Sequence, residues 1–147
     1  MVLLAAGTGI TPMFQIASAA LRNPDVKSHV TLLSFSKHDQ DVCLYQELID
    51  LQAAPRHHPS PVSSVAATIS SALNLKFFAS ELSAADARKG FIKGSMRSLS
   101  AQQLLEHIGA PVSETTCFCM CGPRDWINAT QSLLRLGGVH ESHMFAW

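Results

Sequence analysis

Short apolar runs alternate with amphipathic segments along the 147 residues of this chain. Five runs predict β-strands, at Met1–Ala6, His29–Ser36, Leu75–Ala79, Thr115–Cys121 and His143–Trp147. Segments with helical spacing of apolar residues lie between them, and the clearest are 12–22, 42–52, 100–107 and 124–136. Strands that alternate with helices are joined by parallel crossovers. The pattern therefore predicts a Rossmann-like α/β fold, a doubly wound parallel sheet of about five strands in three αβα layers.

Two stretches interrupt this alternation. Residues 53–74 are rich in Pro, Ser and Ala, carry His57-His58, and predict a flexible insertion that is helical in its second half. Ser80–Arg97 is polar and is broken by Gly90 and Gly94. We predict that the whole chain, residues 1–147, forms one domain that contains these two stretches.

The first strand runs directly into a tight glycine turn, Gly7-Thr8-Gly9, which is followed by Ile10-Thr11-Pro12. We expect Thr11 to cap the next helix and Pro12 to occupy its first position. Such a turn presents backbone N–H groups to a phosphate or pyrophosphate. The alternative is a tight turn that holds no ligand.

A second glycine turn, Cys121-Gly122-Pro123, follows the fourth strand. If the crossovers reverse direction after the third strand, strands one and four are neighbours and both turns lie at the switch point, where doubly wound sheets bind ligands. Two features depart from the standard dinucleotide fingerprint: Pro12 replaces its third glycine, and the second strand ends in Ser36-Lys37. The nearest acids to that strand end are Asp39 and Asp41, in a predicted polar loop over residues 37–41.

Composition limits the functional classes. The 11 basic and 11 acidic residues balance, which gives no electrostatic case for nucleic-acid binding. No apolar run reaches the roughly 20 residues of a membrane-spanning helix, and the N-terminal run is too short for a signal peptide. The four cysteines favour a reducing compartment.

Three of these cysteines, Cys117, Cys119 and Cys121, alternate along the fourth strand and share one of its faces. A metal site completed by histidine is one interpretation. Alternating positions point in parallel and lie too far along the strand to converge easily on one ion, so a buried apolar row is favoured for the first two. We therefore predict no metal site. Cys121 differs, because it ends the strand at the predicted cleft.

Aromatic residues near this cleft have two interpretations. Trp126 either stacks on a cofactor or packs beneath its helix. Phe145 and Trp147 share a face of the last strand, where they either pack on the sheet or contact a partner domain or a flavin ring.

The two glycine motifs, in this order and at this spacing, resemble the ferredoxin–NADP reductase superfamily, and within it the NADH-cytochrome b5 reductase group. Asp41-Val42, Glu47-Leu48 and Gly90-Phe91-Ile92 also fit that group. The resemblance implies a C-terminal pyridine-nucleotide domain that takes NADH, with FAD held mainly by a β-barrel domain that is absent from this chain. The resemblance further implies that hydride passes from NADH to FAD and that electrons then leave to a haem protein such as cytochrome b5.

The resemblance also implies roles for individual residues. Thr11 and Cys121 would act at the nicotinamide, Thr11 at its junction with the flavin and Cys121 in its pocket. The nucleotide-binding set is Gly7, Thr8, Gly9, Ile10, Thr11, Pro12, Ser36, Lys37, Asp41, Cys121, Gly122, Pro123 and Trp126. Asp41 favours NADH by repelling a 2′-phosphate, whereas Lys37 would tolerate that phosphate, so NADPH remains possible. Tyr45 stands where the family often has arginine.

Further expectations depend on parts outside the sequence. We expect the chain to be a fragment whose partner is the FAD-binding domain of the same protein. Its location would be cytoplasmic, or the cytosolic face of a membrane if a missing N-terminal segment anchors it. The alternative functions are a non-catalytic nucleotide-binding module and the same domain of a ferric or nitrate reductase. A cysteine hydrolase or a metal protein is more distant.

Overall fold

The computed structural model describes residues 1–23, 29–54, 73–83, 90–109 and 112–147. Six parallel strands form one sheet in the order β4-β3-β2-β1-β5-β6. The strands are β1 Val2–Ala6, β2 Val30–His38, β3 Leu73–Glu81, β4 Phe91–Lys93, β5 Phe118–Cys121 and β6 Met144–Ala146. All residues of β1 are buried, as expected for the central strand of a sheet covered on both faces.

Within the described ranges, four α-helices cover the two faces of the sheet: α1 Ile10–Arg22, α2 Tyr45–Ala53, α3 Ala101–Ile108 and α4 Arg124–Leu136. Leu3 and Ala5 of β1 point into an apolar cluster shared with α1 and α2. Leu4 and Ala6 point the opposite way, into a cluster shared with α3 and α4. The alternation along one strand thus builds both halves of the core.

The predicted reversal of strand order is confirmed, because β1 lies between β2 and β5. The sheet has one strand more than the five runs indicate, since β4 lies in the polar stretch 80–97. It is a three-residue edge strand, too short to produce a periodic signal. The predicted helix 124–136 and the helix capped by Ser100 are confirmed.

Several predicted boundaries need correction at the ends of strands. Lys37 and His38 belong to β2, and only Asp39–Asp41 forms a turn, of 3-10 type. β5 begins at Phe118, three residues later than the pattern indicates. Strand β3 includes Leu73 and Asn74, because its ladder with β2 extends beyond the apolar run.

The prediction that Thr11 caps α1 is wrong. Gly9 is the N-cap residue, and Thr11 already lies exposed in the first helical turn, so Pro12 is the third helical residue. The predicted insertion 53–74 falls mostly outside the described residues, as do His57 and His58. Its ends belong to α2 and β3. Among the described residues, no helix is both long and apolar enough to span a membrane.

Candidate functional site

The two glycine turns meet at the switch point of the sheet. β1 and β5 pair in register from Val2 with Phe118 to Ala5 with Cys121, so both strands end together. A Cβ atom on Gly9 would lie 2.1 Å from the Cys121 carbonyl oxygen. Only glycine permits this approach of the two backbones, which brings together the two motifs predicted from the sequence.

Gly122 closes the same junction from the other side. A Cβ atom there would lie 2.9 Å from Ala6 Cβ and 3.0 Å from Trp126 Cε3. Gly7, by contrast, has a φ of +56° and open space where a Cβ would point. The first turn therefore combines a tight contact on its inner side with an open, exposed outer side.

Helices α1 and α4 both begin at this junction without a side-chain cap. Their N-cap residues are Gly9 and Pro123, and neither has a side chain that accepts a hydrogen bond. Helix α3, which begins away from the junction, is capped by Ser100 and Gln103 in a reciprocal capping box. At α1 the Ile10 N–H donates to the carbonyls of Gly7 and Thr8 and Pro12 has no N–H, so the positive end of the helix dipole and the Thr11 N–H are what fit a phosphate or pyrophosphate.

A cavity of about 330 Å³ adjoins the second glycine turn. Its walls include Met96, Arg97, Pro123 and Trp126. This volume lies at the lower end of the range of small-molecule sites. The cavity therefore has room for one end of a dinucleotide.

Trp126 packs against the core and also lines the cavity, and its stacking on a cofactor stays a prediction. Its ring lies 5.7 Å from Phe35, in a tilted arrangement. Its Nε1–H is buried and has no hydrogen-bond partner among the described residues. A buried N–H of this kind favours a ligand that accepts a hydrogen bond.

The ends of β2 and β3 carry a cluster of exposed charges. Lys37 Nζ lies 4.0 Å from one Glu81 carboxylate oxygen, and His38 Nδ1 lies 3.5 Å from the other. Ser36 is occupied structurally, since its hydroxyl donates its one hydrogen between the carbonyls of His38 at 2.8 Å and Phe78 at 3.3 Å. Glu81 was not predicted from the sequence, because it lies beyond the expected end of β3 and no motif contains it.

Asp39 was noted from the sequence only as one of the two acids nearest the end of the second strand, and no role was predicted for it. It is buried, and its carboxylate accepts hydrogen bonds from the Ser83 hydroxyl at 2.8 Å and the Ser83 N–H at 3.2 Å. The side-chain hydrogen bond from Ser83 lowers the pKa of Asp39, although burial opposes this. The pair ties the turn after β2 to the segment after β3.

The remaining residues of the predicted nucleotide-binding set differ in how far their side chains are exposed to a ligand. Thr8, Thr11 and Asp41 are exposed, and Pro12 is half-buried. Ile10 is fully buried in the core, so only its backbone is available to a ligand. Tyr45 packs against Phe77 and Phe91, with ring centroids 4.9 and 5.9 Å away, and thus belongs to the aromatic packing between α2, β3 and β4.

Two aromatic side chains at the C-terminus are exposed to solvent, Phe145 in β6 and Trp147 immediately after it. Phe145 is 48% exposed and Trp147 is 63% exposed. Packing on the sheet therefore buries only part of each of these two side chains.

Fold, switch-point junction and open helix N-termini together define a nucleotide-binding α/β domain. Residues 3–132 match the family model described as oxidoreductase NAD-binding domain, and the chain belongs to this family.

The chain is 30% identical over 145 residues to NADH-cytochrome b5 reductase 1 of Dictyostelium discoideum, with 99% of this chain and 43% of that protein covered. It is 31% identical over 127 residues to NADH-cytochrome b5 reductase 2 of Saccharomyces cerevisiae strain YJM789, with 86% of this chain and 36% of that protein covered. The chain therefore spans less than half the length of these relatives.

Solved structures share the fold. The cytochrome b5 reductase domain of Ulva prolifera nitrate reductase superposes with a TM-score of 0.75 at 19% identity, covering 99% of this chain and 47% of that one. The CS-b5R domains of human Ncb5or in the NAD⁺ form give a TM-score of 0.71 at 23% identity, covering 99% and 35%.

Proposed function

We propose that this domain binds NADH and presents its nicotinamide ring to a flavin held by a separate FAD-binding domain of the same protein. The observation that carries the proposal is the close approach of Gly9 to the Cys121 carbonyl, which places the uncapped N-terminus of α1 beside the carboxyl end of β5. The relatives named as NADH-cytochrome b5 reductases support it. They are more than twice as long as this chain, which leaves room for a flavin domain.

Each part of the junction would hold a different part of the nucleotide. The N–H groups of residues 7–9 and of Thr11 bind the pyrophosphate, because no side chain caps them; the Ile10 N–H donates to the carbonyls of Gly7 and Thr8, and Pro12 has no N–H. Cys121 and Gly122 line the nicotinamide pocket, and Thr11 borders it. The cavity beside Trp126 takes the adenosine end.

The chemistry belongs to the cofactors: nicotinamide supplies a hydride, and flavin passes the electrons on one at a time. The chain itself binds and orients. Cys121 fixes the face of the ring by contact, since its half-buried thiol is small and polarisable. A haem protein such as cytochrome b5 is the proposed final acceptor, and the cytosol or a cytosolic membrane face is the proposed location.

We assign the preference of this domain for NADH over NADPH to the charged side chains at the ends of β2 and β3. Lys37 by itself would attract a 2′-phosphate. Glu81 lies beside it and would repel that phosphate, and Asp41 adds a further negative charge nearby in the sequence. The arrangement favours NADH.

Calorimetric titration of this chain with NADH, NADPH and ADP-ribose tests the proposal. We expect NADH to bind more tightly than NADPH. Cys121→Ala should weaken NADH binding while leaving ADP-ribose binding unchanged, because ADP-ribose lacks the nicotinamide ring. Absence of binding by all three compounds would refute the assignment.

The separate flavin domain has its own test. This chain should bind NADH without reducing ferricyanide, because no flavin accepts the hydride. A yellow preparation of this chain that reduces ferricyanide with NADH would contradict the assignment of flavin to another domain.

A further inference from the structure

Two side chains of opposite charge line the cavity beside the second glycine turn. Arg97 lies on the 3-10 turn Met96–Ser98, and Asp125 lies in the first turn of α4. Both residues are exposed, and within the described ranges neither forms an ion pair with the other or with a third residue. The cavity therefore presents one cation and one anion that are both available to a ligand.

The remaining wall of this cavity is mostly apolar. It consists of Ser95, Met96, Pro123, Trp126 and Ala129. Ser95 is already engaged, because it forms a reciprocal capping box with Ser98. The cavity thus lies between a turn and a helix, with apolar surface for the faces of a flat ring and two charges for its edge.

This pair of charges fits one edge of an adenine base. On the edge that carries its 6-amino group, adenine has that amine as a donor and the ring nitrogen N7 as an acceptor. An ionised carboxylate only accepts hydrogen bonds, and a guanidinium only donates them. Asp125 therefore matches the amine, and Arg97 matches N7.

We propose that Asp125 and Arg97 select the adenine base of the nucleotide, with Asp125 accepting from the 6-amino group and Arg97 donating to N7. This inference rests on the proposed function, which places the adenosine end in this cavity. A base with a carbonyl at position 6 would present an acceptor to the Asp125 carboxylate and is therefore disfavoured. The domain is thus selective for dinucleotides that contain a 6-aminopurine.

The reduced hypoxanthine analogue of NADH tests the role of Asp125, because it carries a carbonyl in place of the 6-amino group. In calorimetric titration of the unaltered chain, it should bind roughly 3- to 10-fold more weakly than NADH, as expected for one hydrogen bond to an exposed charge. Asp125→Asn should bring the ratio of the two dissociation constants close to one, because an amide can accept from the amine or donate to the carbonyl. Asp50→Asn, the same change at an exposed acid on α2, should leave the ratio unchanged.

Arg97→Gln tests the second contact separately. Because N7 is an acceptor in both bases, this variant should weaken binding of both compounds by a similar factor, roughly 3- to 10-fold, and preserve their ratio. Arg22→Gln, which removes an exposed arginine from the last turn of α1, should change neither affinity. All four substitutions are at exposed positions, so each variant should keep the fold.

Three results would overturn the proposal while leaving the nucleotide assignment intact. The first is equal binding of NADH and the hypoxanthine analogue by the unaltered chain. The second is a preference for NADH that persists in Asp125→Asn, which would mean that another group recognises the base. The third is unchanged affinity for both compounds in Arg97→Gln. Absence of binding by both compounds would refute the proposed function itself, and this inference with it.

Discussion

The absence of a side chain at Gly9 decides how closely the two turns of the site can meet. Gly9 has ordinary helical angles, φ −60° and ψ −8°, which alanine adopts readily. The effect of Gly9→Ala is therefore steric and does not come from backbone strain, because the added methyl group would clash with the Cys121 carbonyl. We expect it to destabilise the fold by about 1–3 kcal/mol and to weaken NADH binding. Urea denaturation and calorimetry measure the two effects.

Gly94→Ala is the matched control for this substitution. A Cβ at Gly94 would lie 3.4 Å from the Ser98 hydroxyl, a tight contact with a side chain rather than with backbone. It should change stability by less than Gly9→Ala and leave NADH binding unaltered. Equal losses of stability in both variants would show that the contact between the turns is not the cause.

Glu81 gives a second prediction at this scale, concerning nucleotide preference. Glu81→Gln removes the charge beside Lys37 and should strengthen NADPH binding about two- to fivefold, because exposed charges interact weakly. NADH binding should change little. Glu114→Gln removes the same charge from an exposed position between α3 and β5 and should alter neither affinity. The ratio of NADPH to NADH dissociation constants is the measurement, and an unchanged ratio in Glu81→Gln would count against the assignment.

At the scale of elements, the ends of β2 and β3 are joined by Asp39 and Ser83. The pKa of Asp39 is lowered in the folded state from its ordinary value of 3.8. Its contribution to stability is therefore complete above that value and is lost as the pH falls through the lowered pKa. Asp39→Asn should reduce stability at neutral pH and make the remaining stability less sensitive to acid.

Urea midpoints measured from neutral pH to below 3.8 check this expectation. Asp50→Asn is the control, because Asp50 is exposed and accepts a hydrogen bond from Gln46 within α2. Asp50→Asn should leave the change of the urea midpoint with pH the same as in the unaltered chain. Identical acid dependence in Asp39→Asn and the unaltered chain would contradict the role of the buried carboxylate.

The elements that the sequence predicts well are those with a strong local signal. Helix α4 follows from apolar spacing between Pro123 and Gly137, and its predicted ends are correct. Strand β4 and the extended ends of β2 and β3 depend on pairing with neighbouring strands, which no local pattern encodes. The wrong prediction that Thr11 caps α1 has a similar origin. The 3-10 turn at Gly7–Gly9 leads directly into the helix, which therefore begins at Ile10, two residues earlier than predicted.

At the scale of the whole molecule, both glycine turns should respond to the nucleotide together. We expect NADH to slow amide hydrogen exchange in residues 7–12 and 121–126, because both segments border the proposed site. The first turn of α3 is already capped by Ser100 and should not respond. Exchange measured by mass spectrometry with and without NADH gives the comparison. Protection of α3 without protection of the two turns would place the nucleotide elsewhere.

The candidate site was predictable in part. Two motifs and one topological assumption placed Gly9 beside Cys121, and the order of strands in the sheet confirms the assumption. Glu81, Asp39 and the cavity beside Trp126 depend on side chains that meet only after the sheet forms. Their partners are distant in sequence, so no spacing rule identifies them.

The junction between Gly9 and Cys121 also fixes the order of events during synthesis. Its two halves are separated by most of the chain, and β5 must insert beside β1 before they meet. Until then, one side of β1 has no neighbouring strand to accept its hydrogen bonds. We therefore expect a nascent chain that has emerged only through α3 to expose one unpaired edge of β1, an edge of the kind that promotes aggregation.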